Sequence, residues 1–451
     1  MDEQGAAFQP MTFDQILTLL VLAAVIAALI WDKVRADVVA LAGAAFLLMT
    51  GVVRPVEVQG AFASPAIIAL ASLFVIAYAM ELSGLLDAAI EKLVRLCSLI
   101  GRAGLWVMIG FAGVASAFLN NTPIIVLASP VVRDVAKSLG ESPKRYLIPL
   151  SYTAIFGGCC TLIGTSTNLL VNDMASLGGQ PRFGFFEITP VGLSVALAGG
   201  LYLFFFSGRL IGTKIKQEES GAREAAETSE TSYEPGLAGG LVGSAAPFAK
   251  KNTLRAIPAI VSCVVFIAVV ALAALNVAPI AACAFAGAIL LILLRVISAE
   301  QAYSGLRPEV LLLIAGMIVL GIALDETGIA EDATNALIGA MDGMNPIIAL
   351  VIIYGATLFA TEILSNATVA VLFTPVAISM AEAFGVSPRP FLIAIMVAAS
   401  AAFATPFGYQ TNTIVYQMGG YNYMDFVKFG IPLNLITWVA GVIAIQYYFP
   451  F

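Results

Sequence analysis

Apolar residues dominate this chain in long blocks, and the polar positions fall mainly in short gaps between them. Ten blocks read as full spans, at 14–31, 36–53, 66–84, 146–175, 188–208, 255–275, 278–295, 309–325, 390–417 and 429–448. A bilayer core of about 30 Å takes roughly 20 helical residues, so these blocks predict transmembrane helices. Two further apolar segments, 104–139 and 345–384, behave differently. Each carries polar residues at its middle, LNNTP at 119–123 and LSNAT at 364–368.

The run before the first tip, 104–119, is too short as a helix to cross the core. Asn120, Asn121 and Thr122 are capping residues, and Pro123 suits the first turn of a new helix. The segment is expected to be a re-entrant hairpin with its tip near the midplane, entering from the cytoplasmic side. Two ordinary spans with a surface loop would return to the same side, so parity alone leaves that alternative open.

The halves repeat one another. Asn121 matches Asn366, Pro130 matches Pro375 and Ser142-Pro143 matches Ser387-Pro388, each 245 residues apart. One residue then drops out, and TLIGTSTN (161–168) matches TPFGYQTN (405–412) at an offset of 244. Five spans plus one hairpin make an odd number of crossings, which inverts the second copy. Inverted repeats of this kind characterise transporters. The expected organisation is an N-terminal segment 1–13, a first repeat 14–211, a linker 212–253 and a second repeat 254–451. The linker, polar and rich in Gly, Ser and Glu, has no apolar period and reads as a flexible connection.

Charge sets the orientation. With the N-terminus outside, 19 of the 22 Lys and Arg residues fall on inside loops and 3 outside, so both termini are expected in the periplasm of a bacterial inner membrane. The first span follows MDEQ without a basic flank and reads as retained. Mean hydropathy of +0.95 over 451 residues with 11% charged residues excludes a soluble domain. The net charge of −7 gives no reason to expect nucleic acid. There is no histidine, which removes histidine metal sites and most general-base chemistry. The five cysteines lack metal or redox spacing and read as small apolar filler. No nucleophile–base pair points to an enzyme, and an anion channel would need a continuous polar pore rather than two dead-end hairpins.

Two of the spans are themselves interrupted. GGCCTLIGTSTN (157–168) and FATPFGYQTN (403–412) put glycine, proline and threonine at membrane depth, where irregular backbone survives only when buried in protein or lining a cavity. Free carbonyls there suit a hard cation, and helix N-termini present N–H groups to an anion. Neither site contains Arg or Lys, so neutral donors would have to hold the anion. Glu81, Asp325 and Glu326 lie at span ends and read as solvated or paired. Glu362, one helical turn before Asn366, reads as either a proton relay or a structural residue at the hairpin base.

On FLNNTP, IPLSYTAIFGGCCTLIGTSTNLLV, LSNAT and FATPFGYQTNTIVY followed by GGY, the chain resembles the divalent-anion:sodium symporter (DASS) family. It is most similar to the bacterial sulfate-permease-like branch, over 14–451 except the linker. The resemblance implies an all-α polytopic fold of two inverted repeats, a scaffold and an elevator-type transport domain, in a homodimer within lipid. It implies Na⁺-coupled symport of a small dianion, with Na⁺ as coupling ion and no other cofactor. One Na⁺ site would then use Ser116, Asn120, Asn121 and the backbone at Gly164, and its mate Thr361, Ser365, Asn366 and the backbone at Ala404. The anion would touch Asn121, Thr122, Thr165, Ser365, Asn366 and Thr405. The dicarboxylate members carry Ser-Asn-Thr at both tips. Here the tips read Asn120-Asn121-Thr122 and Ser365-Asn366-Ala367, which favours sulfate over a dicarboxylate. A dicarboxylate carrier is the first alternative, and a proton-coupled carrier or sodium/proton antiporter the second. The linker is too short for the regulatory domains that long members of the branch carry.

Overall fold

The computed structural model describes residues 11–31, 33–210, 253–275, 277–329 and 344–451, and every regular element in them is a helix. Nearly all of the predicted linker and of the N-terminal segment lie outside the described residues. The first half runs α1 (Phe13–Trp31), α2 (Ala36–Thr50), α3 (Pro55–Phe62), α4 (Pro65–Leu82), α5 (Leu85–Ile100), α6 (Arg102–Ser116), α7 (Asn121–Ser138), α8 (Lys144–Gly158), α9 (Ser166–Leu177) and α10 (Thr189–Leu210). The second runs α11 (Ala256–Ala274), α12 (Ile280–Leu293), α13 (Ala299–Gly305), α14 (Pro308–Glu326), α15 (Pro346–Ala360), α16 (Asn366–Phe384), α17 (Arg389–Ala398), α18 (Gln410–Gly419) and α19 (Tyr423–Tyr448).

Both hairpins form. α6 and α7 pack together, as do α15 and α16, and α6 and α15 have 15 residues each. That is about 22 Å of helix, short of the hydrocarbon core. The polar tips are helix caps. The Asn120 side chain accepts from the Thr122 amide at 3.1 Å, and the Ser365 hydroxyl accepts from the Thr368 amide at 3.2 Å.

The two interrupted spans each resolve into two helices around an unwound stretch, 159–165 in the first half and 399–409 in the second. Three helices escape a reading by apolar length. α3 and α13 are short, and α5 carries Asp87, Glu91, Lys92 and Arg95.

Glycines bring the backbones together at the breaks. A Cβ on Gly113 would stand 2.6 Å from the Thr153 methyl, and Gly157 packs directly on Gly113. The main core joins helices of both halves, while α4 and α11–α13 build a smaller core of their own, with Ile163 touching both. On α11, Ile257, Ile260, Val264 and Ile267 stay exposed at three- and four-residue intervals. A stripe of that kind faces lipid.

Candidate functional site

The first tip closes on the break between α8 and α9. Ser116, wholly buried at the end of α6, donates its hydroxyl to the Asn121 amide oxygen. Gly158 leaves room for that amide. A Cβ there would lie 3.0 Å from the Asn121 nitrogen and 3.3 Å from the Gly164 carbonyl. Ser116, Asn121 and the Gly164 carbonyl therefore converge around one small residue. Behind them the buried Asn168 ties the break shut, donating to the Thr161 carbonyl at 2.9 Å and the Gly158 carbonyl at 3.3 Å.

The second tip repeats this scheme. Asn412 donates to the Ala402 carbonyl at 2.8 Å and the Thr405 carbonyl at 3.3 Å, the repeat mates of Gly158 and Thr161. Thr161 and Thr405 each donate a hydroxyl to a carbonyl in the facing hairpin turn, at Ala117 and Glu362, and each accepts an amide at 3.0 Å, from Gly164 and Gly408. Around Asn366 stand the Ala399 and Gly408 carbonyls, which can only accept, so its amide nitrogen must face them. In that orientation the amide nitrogen, with two N–H bonds, lies 3.2 Å from each carbonyl oxygen and 2.8 Å from the Thr361 hydroxyl oxygen.

Glu362 has no counterpart in the first half, where Ala117 stands. It lies in the hairpin turn rather than in an arm, because α15 ends at Ala360. Four N–H groups donate to its carboxylate, the backbone amides of Phe403 (2.8 Å), Ala404 (2.7 Å) and Thr405 (2.9 Å) and the Asn434 side-chain amide (2.7 Å). The one Thr405 hydroxyl proton is shared between that carboxylate (3.0 Å) and the Glu362 carbonyl. The longer unwound stretch exposes those amides, and a buried amide without an acceptor is costly. Glu362 is thus a brace for the second break. The Thr405 hydroxyl, expected on the anion, is turned into this brace.

The halves meet at two residues that the motifs did not single out. Asn121 donates its amide to the Tyr409 hydroxyl at 2.8 Å, and the Thr122 hydroxyl meets the Gln410 side-chain oxygen at 3.1 Å. Asn121 and Thr122 are therefore held through the second half's break, while the Thr165 hydroxyl caps α9, accepting from the Thr167 amide at 3.5 Å. Ser365 is turned to its own helix, its hydroxyl 2.7 Å from that of Thr368. α16, which Asn366 begins, packs on α9.

Asn120 opens onto a cavity of about 140 Å³ that also receives Glu81 and Arg307. Neither charged residue was expected near a tip. A count of charges by loop places both at span ends and gives no sign that the α13–α14 connection reaches the hairpin.

Comparison with known proteins places these features. A family model described as "Citrate transporter" matches residues 26–386 and 363–450. The "Sodium/sulfate cotransporter 1" of Chlamydomonas reinhardtii is 34% identical over 165 residues, 36% of this chain and 19% of that one. The "Sodium-dependent dicarboxylate transporter SdcS" of Staphylococcus saprophyticus is 23% identical over 88% of this chain and 79% of that one. Among solved structures, the YdaH transporter of Alcanivorax borkumensis superposes with a TM-score of 0.60 at 14% identity, covering 96% of this chain and 97% of that one.

Proposed function

Because this chain belongs to the citrate transporter family, and is a multi-pass membrane transporter rather than an enzyme, we propose that it is a sodium-coupled symporter of a small divalent anion. We assign sulfate as that anion. The observation that carries this reading is the pair of uncharged polar clusters at repeat-related positions of the two tips, Ser116–Asn121–Gly164 and Thr361–Asn366–Gly408, in which the Asn121 amide turns its oxygen inward and the Asn366 amide its nitrogen. Hydroxyl and carbonyl oxygens suit a hard monovalent cation, amide N–H groups suit an anion, and co-bound cations compensate a dianion that meets no Lys or Arg at the tips.

In this reading one Na⁺ sits with Ser116, Asn120, Asn121 and the Gly164 carbonyl. The other sits with Thr361, Ser365, Asn366 and the Ala404 carbonyl. The anion lies between Asn121, Thr122, Thr165, Ser365 and Asn366, with Thr405 behind them bracing the second site. The two repeats, at 14–211 and 254–451 around the linker 212–253, carry the hairpins between the two faces of a bacterial inner membrane by an elevator-type movement. The chain works as a homodimer with both termini in the periplasm.

Sulfate is favoured by the local likeness to a sodium/sulfate cotransporter and by the methyl group of Ala367 where dicarboxylate carriers offer a hydroxyl. A dicarboxylate carrier is the second reading, favoured by the longer alignment with a dicarboxylate transporter. Counterflow in proteoliposomes loaded in turn with sulfate, succinate, citrate, phosphate and arsenite separates them. Sulfate is expected to exchange best under equal Na⁺. Exchange of succinate or citrate in preference to sulfate would replace the sulfate assignment.

A further inference from the structure

Arg307 is the one basic side chain lining the cavity at the first tip. It is the N-cap residue of α14, yet its side chain makes no capping bond. Among the described residues its guanidinium has no hydrogen bond and no carboxylate within 4 Å. Its guanidinium carbon lies 6.0 Å from the centre of the Phe74 ring. The connection that carries it is pressed onto α4, since a Cβ on Gly305 would stand 2.7 Å from Tyr78. Two carboxyl groups stand near it, Glu81 in the same cavity and Glu309 in the first turn of α14.

A guanidinium has five N–H donors in a fixed fork and stays charged in proteins, so one without an acceptor beside a cavity suits an oxyanion. The cavity has room for several waters. Its walls are largely apolar, from Phe74, Leu86, Phe111 and Ile124, and weaken screening of the charge. One end is the Asn120 cap of the first tip. In the orientation proposed above, the N-terminus of α14 lies on the cytoplasmic side.

We propose that Arg307 forms a cytoplasmic way-station for the transported anion, a subsite for a divalent oxyanion between the first hairpin tip and the cytoplasm, with Glu81 as the opposing charge that keeps the anion from lodging there. The inference rests on the anion-transport reading above. An anion released from the neutral tips meets the guanidinium as its first fixed positive charge, and Glu81 in the same cavity shortens its stay.

The two charges give opposite signs under mutation. With Na⁺ equal on both faces, Arg307→Gln is expected to raise the half-saturating sulfate concentration measured from the cytoplasmic face about tenfold, the size of one charge-assisted contact. The value from the periplasmic face should stay nearly unchanged. Glu81→Gln should lower the cytoplasmic value, and Arg307→Lys should restore most of the loss. A second readout needs no transport. Sulfate should slow phenylglyoxal modification of Arg307 in the purified protein, followed by peptide mass spectrometry without Na⁺. Equal changes on both faces, or no change on either, would overturn the way-station, as would a failure of sulfate to protect Arg307. Protection of Arg307 in a protein that carries no anion would leave the subsite standing and remove the transport reading.

Discussion

At the first tip the Asn121 amide donates across to the other half, to Tyr409. At the second, the Asn366 amide nitrogen faces its own half, at Ala399, Thr361 and Gly408. The two breaks behind them are tied alike, by Asn168 and Asn412. Yet the amide oxygen of Asn412 takes the Ser151 hydroxyl at 2.7 Å, while that of Asn168 has no partner among the described residues. The repeat mate of Ser151 is Met396, which has no hydroxyl to give. The second tip is also braced by Glu362, where the first has Ala117. The halves keep one backbone scheme, and the side chains that differ set the tips apart. The second tip's asparagine is held by its own half, and the first tip's asparagine reaches between the halves.

The strongest way to break this comparison is to remove what the tips share. Asn121→Ala and Asn366→Ala should each abolish uptake with folding and surface expression intact, because each amide serves one cluster. Normal transport by either variant would show that the tips do not form one site.

Glu362→Gln comes next. It removes the charge and places an NH₂ group against N–H donors, leaving at least one buried donor unsatisfied at about 1–3 kcal/mol. A lower unfolding temperature in the purified protein is the expected outcome, together with weakened uptake. A Gln variant of normal stability that loses only pH-driven uptake would make Glu362 a proton carrier instead.

How much of this was readable beforehand depends on whether polarity contrasts with its surroundings. Asn120–Thr122 and Ser365–Thr368 stand out because they interrupt apolar runs, and the structure makes them caps at hairpin turns. The breaks were readable for the same reason, since glycine, proline and threonine cluster there within apolar spans. Tyr409 was not, because an aromatic ring in an apolar segment looks like core until its hydroxyl is seen beside Asn121. Glu362, expected as a proton relay or at the hairpin base, stands in the turn at the tip. Just past the end of α15, Thr361 bonds the Ala399 carbonyl of the second unwound stretch, a contact that periodicity cannot foretell. Arg307 escaped because loop charges were read for orientation only.

Smaller changes sharpen the contrast between the tips. Ala367→Thr would give the second tip the hydroxyl that the first has in Thr122. One hydrogen bond to a charged oxygen is worth about 1.5–3 kcal/mol, so the preference for sulfate over succinate should narrow by up to roughly 10- to 150-fold in competition assays. An unchanged preference would remove Ala367 as a determinant. Tyr409→Phe deletes the acceptor for the Asn121 amide, a neutral bond worth about 0.5–1.5 kcal/mol, or roughly 2- to 13-fold. It should weaken anion affinity by that amount without unfolding the second break, whereas loss of folding would show that the phenol supports the core.

Coupling to sodium is the claim on which the rest depends. A dianion entering against an inside-negative 100 mV costs about 4.6 kcal/mol, at roughly 2.3 kcal/mol per charge, and two Na⁺ cancel that charge. The direct test is uptake of labelled sulfate into proteoliposomes under an inward Na⁺ gradient, with pH equal on both faces and the voltage clamped. Accumulation that follows the Na⁺ gradient and disappears when K⁺ replaces Na⁺ is the predicted result. Accumulation that ignores Na⁺ and follows an imposed pH gradient would contradict it.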